Sequence, residues 1–250
     1  MSAALAAGWP TVAALVRRAG NELLRVPGAA IPGVLAPTIF YVGLTSVFGN
    51  LTQLPGFSTD TYQSFIIPVS LLQGAGFTGA ATGVNLARDI EQGWFDRLLA
   101  SPAPRPALLA GLVFSAAVRS LIPATVLLIV AFSVGAHWPG LDGLAIAFVA
   151  VMGMGTAAAC WGCSLALKFR TQSAAPLMQA GMFVLILMTT SYAPAELLQP
   201  WLQTVAEINP VTHVLEMARQ GFIGEVTWGE TWPGLVTLVG MVAVLADVTE

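Results

Sequence analysis

Arg88, Asp89, Glu91, Asp96 and Arg97 lie with Trp94 and Phe95 in a short charged stretch between two long apolar runs. Ile90, Trp94, Phe95, Leu98 and Leu99 recur at helical spacings, and the charges occupy the remaining surface. Mixed charges around an apolar stripe suit recognition rather than bond-making: one side rests on the bilayer or on neighbouring helices, the other is left for a partner. A plain solvated connector is the alternative, against which the length and mixed charge favour a docking element. Gly93 interrupts the helix at a cost of about 1 kcal/mol. Pro102, Pro104 and Pro106 close it and start the next element extended or kinked.

Other reactive residue types are sparse. Cys160 and Cys163 have the C-x-x-C spacing of redox or metal sites, but no second pair and no nearby histidine accompany them, which favours packing as buried thiols. His137 and His213 are isolated in sequence. The one lysine, Lys168, lies in Leu167-Lys168-Phe169-Arg170, so no Gly-Lys-Ser/Thr phosphate loop exists. No Ser/His pair, aspartate pair or His/Glu metal set lies at matching depth in two apolar runs. The chain is therefore expected to be neither an enzyme nor a holder of metal or cofactor.

The elements that position the charged stretch follow from composition. Of 250 residues 56% are hydrophobic and 9% charged, against roughly a quarter charged in soluble domains, and the mean hydropathy is +0.77. This is the composition of an integral membrane protein. Runs near the ~20 residues a helix needs to cross a bilayer lie at 31–48, 65–86, 107–134, 141–167 and 174–192, with a shorter sixth at 232–246. They are apolar all round, where barrel strands would alternate, so the expected class is an all-α membrane protein of about six spans forming one domain over 1–250. Residues 8–26 read as an amphipathic interfacial helix rather than a cleavable leader, with Ala13, Val16, Leu23 and Leu24 facing lipid.

With the amino terminus inside, eight of the ten basic residues fall on the cytoplasmic side and only Arg219 lies outside. Trp138, Trp201, Trp228 and Trp232 then mark the outer boundary, and Trp9, Trp94 and Trp161 the inner one. The net charge of −3 gives no reason to expect nucleic-acid binding.

Arg119 lies about three turns into the third run, where lipid exposure costs a few kcal/mol. Pairing with another helix, reaching back to the inner face and contact with a substrate are its three readings, the last the weakest. Gly74, Gly76, Gly79, Gly83 and Ala80, with Gly153, Gly155, Ala157 and Ala159, give small faces for close helix approach; the glycines of the second run would also ease bending. Met178, Met182, Phe183 and Met188 form either an adaptable pathway lining or a packing stripe. Residues 193–231 are too polar and proline-broken for one span, and two short helices dipping into the outer leaflet fit them. Glu196, Glu207, Glu216 and Arg219 then either line an exit or, for Glu216 and Arg219 at i, i+3, simply pair.

Arg88-Asp89 through Gly93, then Asp96-Arg97-Leu98-Leu99-Ala-Ser-Pro102 and Arg105 followed by Leu108-Leu109-Ala-Gly111, resembles the cytoplasmic loop of type-2 ABC transporter permeases, a group that includes the daunorubicin/doxorubicin-resistance permeases. Leu24-Arg25-Val-Pro27, Pro37 and Phe48-Gly49 resemble the family's connecting helix and opening span, and Ile208-Asn209-Pro210-Val211-Thr212 with Arg219 and Gly224 its stretch before the last span. Asp96 stands where the family more often has Glu, and Leu112 where Lys is common.

The resemblance implies an ATP-driven exporter subunit in the plasma membrane, moving a drug, antibiotic, lipid or glycolipid. ATP and Mg would be held by a separate cytoplasmic ATP-binding subunit, and 88–99 would be the coupling helix seated in it. Arg88, Asp89, Glu91, Asp96 and Arg97 would make its polar contacts, Trp94 and Phe95 its anchor, with 8–26 beside it. The resemblance further implies a dimer with a second copy or a related permease, helices one, two and five at the seam, and re-entrant helices within 193–231. A membrane scaffold or sensor that docks a cytoplasmic ATPase without transport is the competing function.

Overall fold

A computed structural model describes residues 13–14, 16–18, 20–21, 31–49, 61–100 and 105–247. The described residues are helical with connecting turns, and none is in a strand. After the helical residues 13–14, 16–18 and 20–21 come α1, Ile31–Phe48, α2, Tyr62–Glu91, and the short α3, Trp94–Leu99. Then come α4, Arg105–Ser133, α5, Gly140–Phe169, and α6, Ala175–Leu187. Last are α7, Pro200–Ile208, α8, Pro210–Ile223, and α9, Trp228–Asp247.

The second, third and fourth apolar runs become helices of 29 to 30 residues, about 45 Å long at 1.5 Å per residue and so longer than a hydrocarbon core. The short sixth run gains a turn at its start and reaches 20 residues. Among the described residues four helices have the length and hydropathy of a span, α2, α4 from Ala107, α5 and α9. The fifth run departs from expectation, since its helix stops at Leu187 after 13 residues, and the chain to Gln199 has only the 3-10 turn Ala195–Leu197. The cause is local chemistry: Thr189 Oγ1 and Ser191 Oγ both donate to the Ile186 carbonyl, at 2.7 and 2.6 Å. Hydroxyls thus take an acceptor that a further turn of helix would have needed.

α2 is the centre of the bundle. It packs against α5 most extensively, and also against α1, α4, α6 and α8, and 83% of its apolar window is buried. Small residues permit this: a Cβ on Gly79 would lie 2.5 Å from Ala158 Cβ, and one on Gly83 would enter the backbone of Gly162. Gly79 and Gly83 of the second run therefore serve close approach to α5, which uses Gly155, Ala158 and Gly162 in turn, while Gly74 faces Gly33 of α1 and Pro123 of α4, and Gly76 faces Ile186 and Met182 of α6. At the other extreme only 17% of the apolar window of α9 is buried, and Val236, Val239 and Val244 are exposed along it.

Candidate functional site: a docking end built on the central helix

α2 carries its last buried residues at Leu86 and Ala87 and runs on to Glu91. The chain then turns: the N–H groups of Gln92 and Gly93 donate to the carbonyls of Arg88 and Ile90, both at 3.0 Å, and Gly93 sits at φ 68°. That left-handed geometry suits a residue without Cβ. The expected single helix over 88–99 is thus two pieces, the end of α2 and the six-residue α3, because the φ at Gly93 cannot continue a right-handed helix.

The charged and aromatic residues of this end divide between internal and exposed roles. Arg18 Nη2 donates to both carboxylate oxygens of Asp89, at 3.1 and 3.2 Å, and its guanidinium carbon lies 3.8 Å from the centre of the Trp94 ring. One arginine from the amino-terminal helical segment therefore spans the Gly93 turn, holding α2 through Asp89 and α3 through Trp94. Glu91 accepts from the backbone N–H of Gln172 at 2.9 Å and from its Nε2 at 3.2 Å, tying the end of α2 to the turn after α5. Phe95 is buried in the chain's own core. Trp94 and Phe95, expected as the anchor in a partner, thus meet this chain's own residues, because α3 folds back onto the bundle instead of projecting from it. Arg88, Asp96 and Arg97 are left exposed.

The Arg18 contact has a checkable size. Arg18 is 40% exposed, and solvent screening limits such pairs to about 0.2–1 kcal/mol. A double-mutant cycle of Arg18→Ala and Asp89→Ala, read by thermal unfolding, is expected to give a coupling energy of about that size. Strictly additive effects would mean the two side chains do not pair.

The weaker pathway candidates do not converge. Arg119 on α4 donates through Nη2 to Thr82 Oγ1 of α2 at 2.7 Å, and through Nε to the Ser115 carbonyl at 3.4 Å. Met178 and Met182 are both buried on α6; the Met178 carbonyl accepts from Trp161 Nε1 at 3.2 Å. Glu196 and Glu207 are exposed on separate elements at the far end. Arg219 is buried and donates to the Thr190 and Ser191 carbonyls at 2.8 and 3.4 Å, stacked 4.0 Å from the centre of the Phe65 ring. The expected Glu216 to Arg219 pair is not made: Glu216 instead lies 3.7 Å from His213 Nδ1. Carbonyls freed where α6 ends draw the guanidinium inward, away from the helix surface on which an i, i+3 pair forms.

The Asn209-Pro210-Val211-Thr212 stretch joins α7 to α8 and ties both to the end of the broken α6. Asn209 Nδ2 donates to the Leu185 and Met188 carbonyls, at 2.7 and 2.8 Å, while its Oδ1 accepts from Val211 N–H at 3.0 Å and caps α8. Pro210 occupies the first turn of α8, and Thr212 Oγ1 donates to the Ala206 carbonyl at 2.6 Å. Spacing alone did not expose the roles of Asn209 and Arg18. The Asn-Pro pair signals a helix start, but the partners of Asn209 lie 21 and 24 residues away and Asp89 is 71 from Arg18.

Cys160 and Cys163 are buried free thiols. Among the described residues, no three His, Cys, Asp or Glu side chains gather as metal ligands.

Apolar helices long enough to span, packed round a central helix that ends in a polar, partly clamped surface, define a multi-pass membrane protein. The chain belongs to the ABC-2 type transporter family, whose pattern it matches over residues 11–223. It is 26% identical over 240 residues to the daunorubicin resistance ABC transporter permease protein DrrB1 of Streptomyces coeruleorubidus, covering 93% of this chain and 82% of that one. Similarity extends to the probable multidrug ABC transporter permease YbhR of Escherichia coli K12, 27% identical over 186 residues, 70% of this chain and 49% of that one. The putative transport permease ycf38 of Porphyra purpurea is 26% identical over 83% of this chain and 72% of its own length. Proteins of this family are membrane subunits that work with an ATP-binding subunit and are not themselves the ATPase.

Proposed function

We propose that this chain is the membrane-spanning subunit of an ATP-driven exporter, moving an amphipathic or lipophilic compound outward across the plasma membrane, with its amino terminus in the cytoplasm. A separate chain binds ATP and Mg and docks on the surface formed by the end of α2 and by α3. The observation that carries this reading is the continuity of α2: the most enclosed helix of the bundle extends directly into the exposed polar end. A push on α3 is passed through the clamped turn at Gly93 into α2, and from there to every helix packed on it. Interfaces and packed cores have discrete arrangements, so a small displacement at the docking end selects between them.

In this reading Arg88, Asp96 and Arg97 meet the ATP-binding subunit. Asp89, Glu91 and Trp94 keep the docking element in position from within, and Phe95 roots it in the core. A second copy, or a related permease, completes the translocation path. Support for a lipophilic cargo comes from two relatives named for daunorubicin resistance and for multidrug transport.

The test is reconstitution of the chain with its ATP-binding subunit in vesicles, following ATP-dependent movement of a lipophilic dye. Reversing charge at the exposed face, Arg88→Glu with Arg97→Glu, is expected to reduce transport and permease-stimulated ATP hydrolysis at least tenfold while leaving the folded chain intact. Unchanged transport in that variant would remove the face from the interface. Stimulated hydrolysis in the wild type with no dye movement would favour a scaffold over an exporter.

A further inference from the structure

Behind the docking end, α5, α6 and α9, with Pro210 at the start of α8, line a partly open cavity of about 590 Å³, bounded by Trp161, Met182, Leu185, Gly240, Met241 and Val244 among others. We propose that this cavity is a binding site for one hydrocarbon chain of a membrane phospholipid. The inference rests on the membrane setting of these helices and not on the direction or cargo of transport.

The wall chemistry decides the ligand class. It is almost wholly apolar, and the one indole N–H on it, Trp161 Nε1, is already donated to the Met178 carbonyl. A headgroup, a charged amine or a polar drug entering here would give up hydration with nothing in return, at a cost of several kcal/mol. Water is excluded for the same reason, since apolar cavities stay dry. The remaining states are a void, which forfeits the dispersion contacts of its whole lining, and hydrocarbon. The volume lies in the range of sites that enclose small organic ligands.

The setting supplies that hydrocarbon. α9 is the wall nearest the outside, and Val236 and Val239, which do not line the cavity, are 60% and 69% exposed along it, so its outer side borders lipid. Two glycines make the space: Gly240 has nothing within 4 Å of where a Cβ would stand, and Gly181 lets the Trp161 ring approach to about a Cβ contact at 3.0 Å. An acyl chain lying on the Trp161 ring face, between Met182 and Met241, fills the gap with adaptable side chains of the kind that accommodate irregular apolar surfaces.

The test is native mass spectrometry of the full chain, extracted in mild detergent from vesicles of phosphatidylcholine, together with quenching of its fluorescence by phosphatidylcholine brominated at mid-chain. Wild type is expected to retain one phospholipid per chain. Gly240→Phe, which fills open space, is expected to lower retention at least fivefold and to reduce quenching, and Gly240→Leu to lower both less. Val239→Phe, on the outer side of the same helix, is expected to change neither. Equal retention in wild type and both Gly240 variants, or none in wild type, overturns the proposal. So does efficient disulfide formation between copies in Gly240→Cys, which would mean that a second chain rather than lipid covers the site.

Discussion

Gly83→Leu is expected to abolish recovery of folded protein, and Gly83→Ala to lower its thermal unfolding temperature markedly. Position 83 is where the backbones of α2 and α5 meet, and even a methyl group there would enter the Gly162 main chain. Overpacking a core costs about 1–3 kcal/mol when side chains can yield; here the obstacle is backbone, so the helices must separate. Separation would also loosen the Gly79 contact with Ala158 one turn away. Total stability is on the order of 5–15 kcal/mol, so leucine removes a large part of it. Gly43→Ala on α1 is the matched control, because a Cβ there meets nothing within 4 Å. That change is expected to be neutral or to stabilise by up to about 1 kcal/mol through helix propensity. Thermal unfolding in detergent, followed by size-exclusion fluorescence, reads all three. Equal effects at 43 and 83 would rule out close backbone approach as the cause.

Asn209→Asp is expected to destabilise at least as much as Asn209→Ala, by about 2–4 kcal/mol for the two hydrogen bonds lost to partly buried carbonyls. Asn and Asp are equally good helix N-caps, so the cap to Val211 N–H survives in the aspartate variant. The amide donors do not: Asp has no N–H to offer the Leu185 and Met188 carbonyls, and its charge faces both acceptors. Were Asn209 only a cap, aspartate would behave as wild type and alanine would cost about 1 kcal/mol. The order of the two variants therefore distinguishes a cap from a joint. Limited proteolysis between residues 188 and 209 gives a second reading, since release of the end of α6 from Asn209 at the start of α8 would open this segment.

The docking end shows how unevenly sequence carries structural information. Its charge pattern, its breaker at Gly93 and its place between two spans were all legible, because they depend on neighbours in the chain. Helical spacing put Trp94 and Phe95 on one face, but spacing does not say what that face touches. Phe95 found the core and Trp94 found Arg18, an arginine separated from it by the whole of α1 and α2. Similarly, Thr189, Thr190 and Ser191 fell inside the fifth apolar run, 174–192. The hydroxyls that stop the helix at Leu187 act on a carbonyl three to five residues away, but that Arg219 and Asn209 would collect the freed carbonyls depended on α8 folding back against α6.

Composition and periodicity determined by themselves that this is a helical membrane protein, where most of its spans lie and that one polar segment interrupts them, because burying backbone in hydrocarbon allows few other solutions. Tertiary structure decided which helix is central, which charges are consumed internally and which remain exposed. Those outcomes depend on contacts between residues tens of positions apart, set by where glycine lets two helices touch and where a carbonyl needs a donor, and neither leaves a period in the chain.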